Sequence, residues 1–182
     1  MHQANLDRLL FIPAGDPWQK RDRRVSAPHH RVAMVDLAIS EGPGFELDRQ
    51  EIERVGPTYT IDTLQTFPES EDLYLLMGAD AALGFDTWHQ ADLVLERAGV
   101  LVVPRPGADS TAAVDWIPGA RLLDMAPLGV SSTLIRAMAR CGRPFRYLVP
   151  GAVHEYIVAN NLYPEGENDD MVEQTTTEES SS

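Results

Sequence analysis

At 182 residues and 20.1 kDa, with 43% hydrophobic and 24% charged residues, the chain is long enough to bury one real core. That composition excludes a wholly disordered chain, a collagen and a disulfide scaffold, and no apolar run approaches the ~20 residues of a membrane span. A formal net charge of −13 is a poor basis for binding nucleic acid, and the single cysteine, Cys141, excludes an intrachain disulfide and fits a reducing cytoplasm.

The predicted elements alternate along the body. Leu9–Ile12 is a short apolar run that ends in Pro13-Ala-Gly15. Ser26 is placed to cap a helix with Pro28 in its first turn, and Val32, Val35 and Ile39 continue it at helical spacing. Gly42-Pro-Gly44 stops it. Phe45, Leu47 and Ile52 suggest a rough strand, and Thr60 is placed to cap a helix over 61–66. Leu73–Met77 reads as a strand ending in Gly78-Ala-Asp80, followed by a helix over Asp92–Arg97. Val100–Val103 is another strand, ending in Pro104-Arg-Pro-Gly107. A short run at Leu122-Leu123 precedes two last helices, over Ser132–Arg140 and Ala152–Asn160.

This alternation predicts an α/β domain with a mostly parallel sheet, since continuous apolar runs suit strands covered on both faces. Residues 1–163 form the domain in this reading. Residues 164–182 form an acidic, low-complexity tail expected to be disordered. Seven of the 28 acids lie from Glu165 onward with no base among them. A docking role for the tail and a plain solvating extension are both open.

In open parallel sheets, ligands bind beyond the carboxyl ends of the strands. The loops at Pro13, Gly78 and Pro104 are therefore expected to meet at one site. Val130-Ser-Ser-Thr-Leu-Ile-Arg136 places two serines at a helix start with Arg136 one turn on. Arginine is unfavourable in a first turn unless an anion sits between it and the helix N–H groups. A plain serine cap with a surface arginine, and a phosphate cradle, are the two readings. Asp80 suits either a ribose hydroxyl or a helix cap, and Trp88 either a stacking platform or the core. Lys20 lies in a basic loop with Arg21, Arg23 and Arg24, which alone reads as solvated. His89 and His154 stand isolated, and no zinc-ligand spacing or Ser-His-Asp arrangement is present.

Several segments together resemble one family. They are Pro13-Ala-Gly15, Gly56-Pro-Thr-Tyr-Thr-Ile-Asp-Thr-Leu64, Gly78-Ala-Asp80, Thr87-Trp88, Val103-Pro-Arg-Pro-Gly107, Val130–Arg136, Tyr147-Leu-Val-Pro150 and Tyr156 with Leu162-Tyr163. In this order and at these separations, over roughly Leu6–Tyr163, the chain is similar to bacterial nicotinate-nucleotide adenylyltransferases. Pro17-Trp-Gln-Lys20 resembles their actinobacterial branch.

The resemblance implies a Rossmann-like nucleotidyltransferase fold in which ATP and nicotinate mononucleotide give deamido-NAD and pyrophosphate, with Mg2+ accompanying ATP. It implies that Gly78, Asp80, Arg105, Ser131, Ser132 and Arg136 bind ATP, and that Lys20, Tyr59, Thr60 and Trp88 bind the mononucleotide, Lys20 also helping to hold phosphate charge. It implies a cytoplasmic enzyme with no nucleic-acid or membrane partner, and leaves a homo-oligomer open. Two other readings remain: a non-catalytic nucleotide-binding relative, or transfer to another mononucleotide such as nicotinamide mononucleotide.

One departure stands out. The family opens with a strand followed by Gly-x-Phe-Asp-Pro-x-His-x-Gly-His, which nothing here matches. The catalytic histidines are therefore assigned to no residue of this chain, and the first central strand of the fold is expected to be missing. The expectation is that Met1 is an internal methionine of a longer product, and that the 182 residues turn over poorly on their own.

Overall fold

The structure, a computed structural model, describes residues 2–15 and 26–165. Within that range the apolar runs become strands and the amphipathic segments helices. The chain divides into two compact units, Met1–Trp18 with Gly42–Gly129, and Gln19–Glu41 with Val130–Ser182.

The first unit carries every strand among the described residues. β1 (Leu9–Phe11) pairs in parallel with β2 (Phe45–Leu47) as a two-stranded sheet. β3 (Leu73–Gly78), β4 (Ala98–Val103) and β5 (Arg121–Leu122) form a second sheet in that order, also parallel throughout. Parallel neighbours require crossovers. Here α4 (Ala79–Ala82), a 3-10 turn at Phe85–Thr87 and α5 (Ala91–Arg97) join β3 to β4, and α6 (Ser110–Trp116) joins β4 to β5. The short helices α2 (Gln50–Glu53) and α3 (Thr60–Leu64) follow β2. Ile52, expected in the strand, instead lies in α2, because Asp48 turns the chain by accepting the Gln50 N–H at 2.9 Å.

β4 is the centre of this unit. Val100, Leu101 and Val102 are all buried, and Val100 and Val102 share one core with Ile61, Val94 and Ile117, which are 0–1% exposed. A side chain buried to that degree contributes about 1.5–3 kcal/mol. Polar groups fasten the margins of this core. Arg97, in the last turn of α5, donates to the carbonyls of Pro68 at 2.7 Å and Glu71 at 3.1 Å, which holds the loop entering β3. Gln3 and Asp124 exchange two hydrogen bonds of 2.6 and 2.8 Å and tie the amino-terminal turn to the segment after β5.

The second unit is helical. α1 (Pro28–Ile39), α7 (Ser132–Arg140) and α8 (Gly151–Ala159) surround Ile135, Phe145, Val153 and Ile157. Ser26 does not cap α1. Ala27 occupies the cap position without a side-chain bond, and the Ser26 hydroxyl pairs with Tyr163 at 2.7 Å. The Ser26 carbonyl accepts from Arg31 Nε at 3.1 Å, and burial holds the Arg31 guanidinium below its ordinary value. His30 Nδ1 and the Tyr156 hydroxyl, 2.9 Å apart, join α1 to α8.

Candidate functional site

Parallel pairing of β3 and β4 aligns their carboxyl ends, with Gly78 opposite Val103. Asp80 and Arg105 each lie two residues beyond that pair, and the register brings them together: Arg105 Nε is 3.6 Å from Asp80 Oδ1. Both side chains are substantially exposed, at 38% and 64%. The pair therefore has room to exchange its mutual contact for a ligand's. Asp80 does not cap α4, since Gly78 holds the cap position and no side-chain bond is made there. A Cβ on Gly78 would lie 3.2 Å from Arg105 Cγ, so the side chains over the strand end require the glycine's open space.

The loop after β1 belongs to the other sheet. Gly15 presses so closely on the Glu51 backbone that a Cβ would stand 3.0 Å from its carbonyl carbon and 3.4 Å from Thr58 Cγ2. That contact sets the Pro13–Gly15 loop beside the segment carrying Tyr59 and Thr60. Tyr59 is the extended residue before α3, and Thr60 is its first residue rather than its cap.

The structure also gives Tyr59 a neighbour that the sequence conceals. Its ring lies 4.2 Å from that of His89, centroid to centroid, at 33°. His89 is thus not isolated. Trp88, which follows the 3-10 turn, lies 5.4 Å from the Phe85 ring, and both Tyr59 and Trp88 pack against the core of the first unit. Thirty residues separate Tyr59 from His89, and no local pattern relates them.

Ser131, Ser132 and Arg136 lie in the second unit. Ser131 caps α7 as its sequence position predicts: its hydroxyl accepts the Leu134 N–H at 3.1 Å. Ser132 opens the helix and is exposed, and Arg136 Nη2 donates to Thr133 Oγ1 at 3.3 Å. Lys20 and nearly all of the acidic tail lie outside the described residues. Among the described residues no three His, Cys, Asp or Glu side chains converge as a metal cage, and no helix is long and apolar enough to cross a membrane.

Residues 1–138 match the family model described as cytidylyltransferase-like. A probable nicotinate-nucleotide adenylyltransferase of Corynebacterium kroppenstedtii is 38% identical over 170 residues, covering 90% of this chain and 80% of that protein. Its counterparts in Nocardioides sp. and Streptomyces coelicolor are 41% and 40% identical, covering 88% of this chain and 81% and 87% of theirs. The chain belongs to the nicotinate-nucleotide adenylyltransferase family. The family's Rossmann-like architecture is also seen in solved structures of a nicotinic acid mononucleotide adenylyltransferase from Plasmodium falciparum. One, complexed with APC, superimposes with a TM-score of 0.71 at 19% identity; another, complexed with NaAD, with 0.70 at 16%. Each covers 89% of this chain. At such identities the likeness is one of fold, and it agrees with the parallel sheets and crossover helices described above.

Proposed function

We propose that this chain catalyses adenylyl transfer from ATP to nicotinate mononucleotide, giving deamido-NAD and pyrophosphate. The observation that carries this reading is the 38–41% identity to adenylyltransferases over nearly the whole body. The exposed Asp80–Arg105 pair at adjoining strand ends supports it, because strand ends in parallel sheets are where nucleotides bind.

In this reaction a 5′-phosphate oxygen of the mononucleotide attacks the α-phosphorus of ATP. A new P–O bond forms, the bond to the bridging oxygen breaks, and pyrophosphate leaves with its electron pair. Little covalent work falls to the protein, so positioning and charge neutralisation carry the rate. Gly78 and Arg105 take the adenine-nucleotide side, with Arg105 facing phosphate, and Asp80 accepts from the ribose hydroxyls. Ser131, Ser132 and Arg136 hold further phosphate oxygens, and Lys20 adds positive charge. Tyr59, Thr60 and Trp88 receive the nicotinate nucleotide. Mg2+ enters with the triphosphate as part of the substrate, which suits its preference for phosphate and water oxygens.

The test is pyrophosphate release with MgATP and either the acid or the amide mononucleotide, by the 182 residues alone and by the same chain extended with the family's Gly-x-Phe-Asp-Pro-x-His-x-Gly-His opening, with binding of each measured in parallel. The expected outcome is release by the extended form that depends on both substrates, with the acid favoured by at least about tenfold, and little release by the 182 residues alone. A site built around donors to a carboxylate leaves them unpaired when the amide binds. Equal kcat/KM for the two would overturn the substrate assignment. Nucleotide binding without release would leave a binding protein of the same fold.

A further inference from the structure

Within the first unit, Tyr59 and His89 stand at the entries of two helices that pack against each other. Tyr59 immediately precedes α3, and His89 precedes Gln90, the cap residue of α5. Tyr59 packs against the core, whereas His89 is exposed. The imidazole therefore meets the Tyr59 ring, 4.2 Å away at 33°, where that ring reaches the surface. The chain arrives at Tyr59 through Val55-Gly-Pro57, which is exposed throughout, and a Cβ on Gly56 would meet no atom within 4 Å. Thr58 is buried and fixes the backbone there. So open an approach leaves the orientation of the Tyr59 ring to its neighbours, His89 among them. We propose that His89 is a positioning residue for the mononucleotide, holding the Tyr59 ring in the orientation that receives it. This inference rests on the reading that Tyr59 belongs to the mononucleotide site.

The backbone beside His89 is held against its local preference. Gln90 adopts φ 53° and ψ 47°, the left-handed region. Among the described residues the other non-glycine positions with positive φ are Asn5 and Asn161, and asparagine tolerates that region because its short side chain bonds locally. Glutamine lacks that ease, and the Gln90 side chain makes no cap bond to α5. Strain of this kind persists only where the surroundings over-determine it, and it gathers at ligand sites. Here it separates two successive rings. Trp88, extended at φ −74° and ψ 146°, packs against Phe85 and the core, while His89 lies on Tyr59. A flat ring at this distance restricts the rotation of the Tyr59 side chain before any ligand arrives. Less entropy is then lost when a ligand orders that side chain. Preorganisation of this sort acts on binding, so its signature lies in KM for the mononucleotide and not in kcat or on the ATP side.

The test uses the extended form of the chain and reads the two substrates separately, by steady-state pyrophosphate release and by calorimetric titration with nicotinate mononucleotide alone. His89→Ala is expected to weaken the mononucleotide about two- to tenfold in KM and in titration alike, the range of one aromatic pair. KM for MgATP and kcat are expected to stay within about twofold. His89→Phe keeps a ring and is expected to restore the parent affinity. Gln90→Val, whose branched side chain disfavours the left-handed region, is expected to reproduce the loss. In a Tyr59→Ala background, His89→Ala is expected to add nothing, because its effect runs through that ring. Unchanged mononucleotide affinity in His89→Ala or Gln90→Val would overturn the proposal. So would equal weakening of both substrates, failure of phenylalanine to restore binding, or a full further loss in the Tyr59→Ala background. Titration does not depend on turnover. A parent that binds the mononucleotide but releases no pyrophosphate would sink adenylyl transfer, and the variants would still decide the role of His89. A parent that binds no mononucleotide would overturn both.

Discussion

Asp80 and Arg105 are two charges at neighbouring strand ends, and their exposure separates what they do for the fold from what they do for a ligand. At 3.6 Å, with side chains 38% and 64% exposed, the pair is heavily screened and contributes well under about 1 kcal/mol to stability. Arg105→Gln is therefore expected to leave the melting temperature nearly unchanged while raising KM for MgATP at least about tenfold, the loss of one charge-assisted phosphate contact. Thermal melts and steady-state pyrophosphate release on the same preparation check both halves. The Tyr59–His89 contact makes a second residue-scale test. Rings at 4.2 Å should couple by about 0.5–1.5 kcal/mol, read from a double-mutant cycle of Tyr59→Ala and His89→Ala in urea. A coupling near zero would mean that His89 adjoins Tyr59 without supporting it.

At the scale of elements, two helix starts show what local sequence can and cannot announce. Ser131 before Ser132–Arg140 is legible: a serine cap, an apolar position at Ile135 and a basic last turn all agree. α6 is not, although Asp109 caps it well by accepting from both Thr111 and Ala112 at 3.0 Å. The segment Ser110–Trp116 is short and rich in alanine, and its buried stripe reduces to Ala113 and the following Ile117. Asp109→Ala is expected to cost about 1 kcal/mol, within the 0.5–2 kcal/mol range of lost caps. Ser131→Gly should cost only a few tenths, because glycine is tolerated at a cap. If Ser131 also holds phosphate, the same change weakens MgATP binding severalfold despite its mild effect on stability. Chemical denaturation and calorimetric titration separate the two effects.

For the whole molecule, the two cores have no residue in common. Leu101 lies fully buried at the centre of β4, and Ile157 is buried on α8. Leu101→Ala should destabilise by about 2–5 kcal/mol and Ile157→Val by about 0.5–1.5 kcal/mol. The two residues belong to different compact units, so the double variant should equal the sum within about 0.5 kcal/mol. The larger loss is a considerable part of a typical total of about 5–15 kcal/mol. Urea unfolding of the three variants tests this, and strong non-additivity would show that the cores report one cooperative transition through shared strain.

The sequence alone determined the strands at β3 and β4, the helices at α7 and α8, and the α/β class, because continuous apolar runs and helical spacing are local properties of the chain. Their ordered motifs also carried the family. What local spacing could not decide was which distant groups meet. Ser26, a plausible cap by position, instead bonds Tyr163, 137 residues away. His89, solitary in the sequence, stacks on Tyr59, and Asp80 meets Arg105 only because β3 and β4 pair in parallel register. Strand pairing is a contest among non-local edges, and each winning register places residues together that no short window of sequence contains.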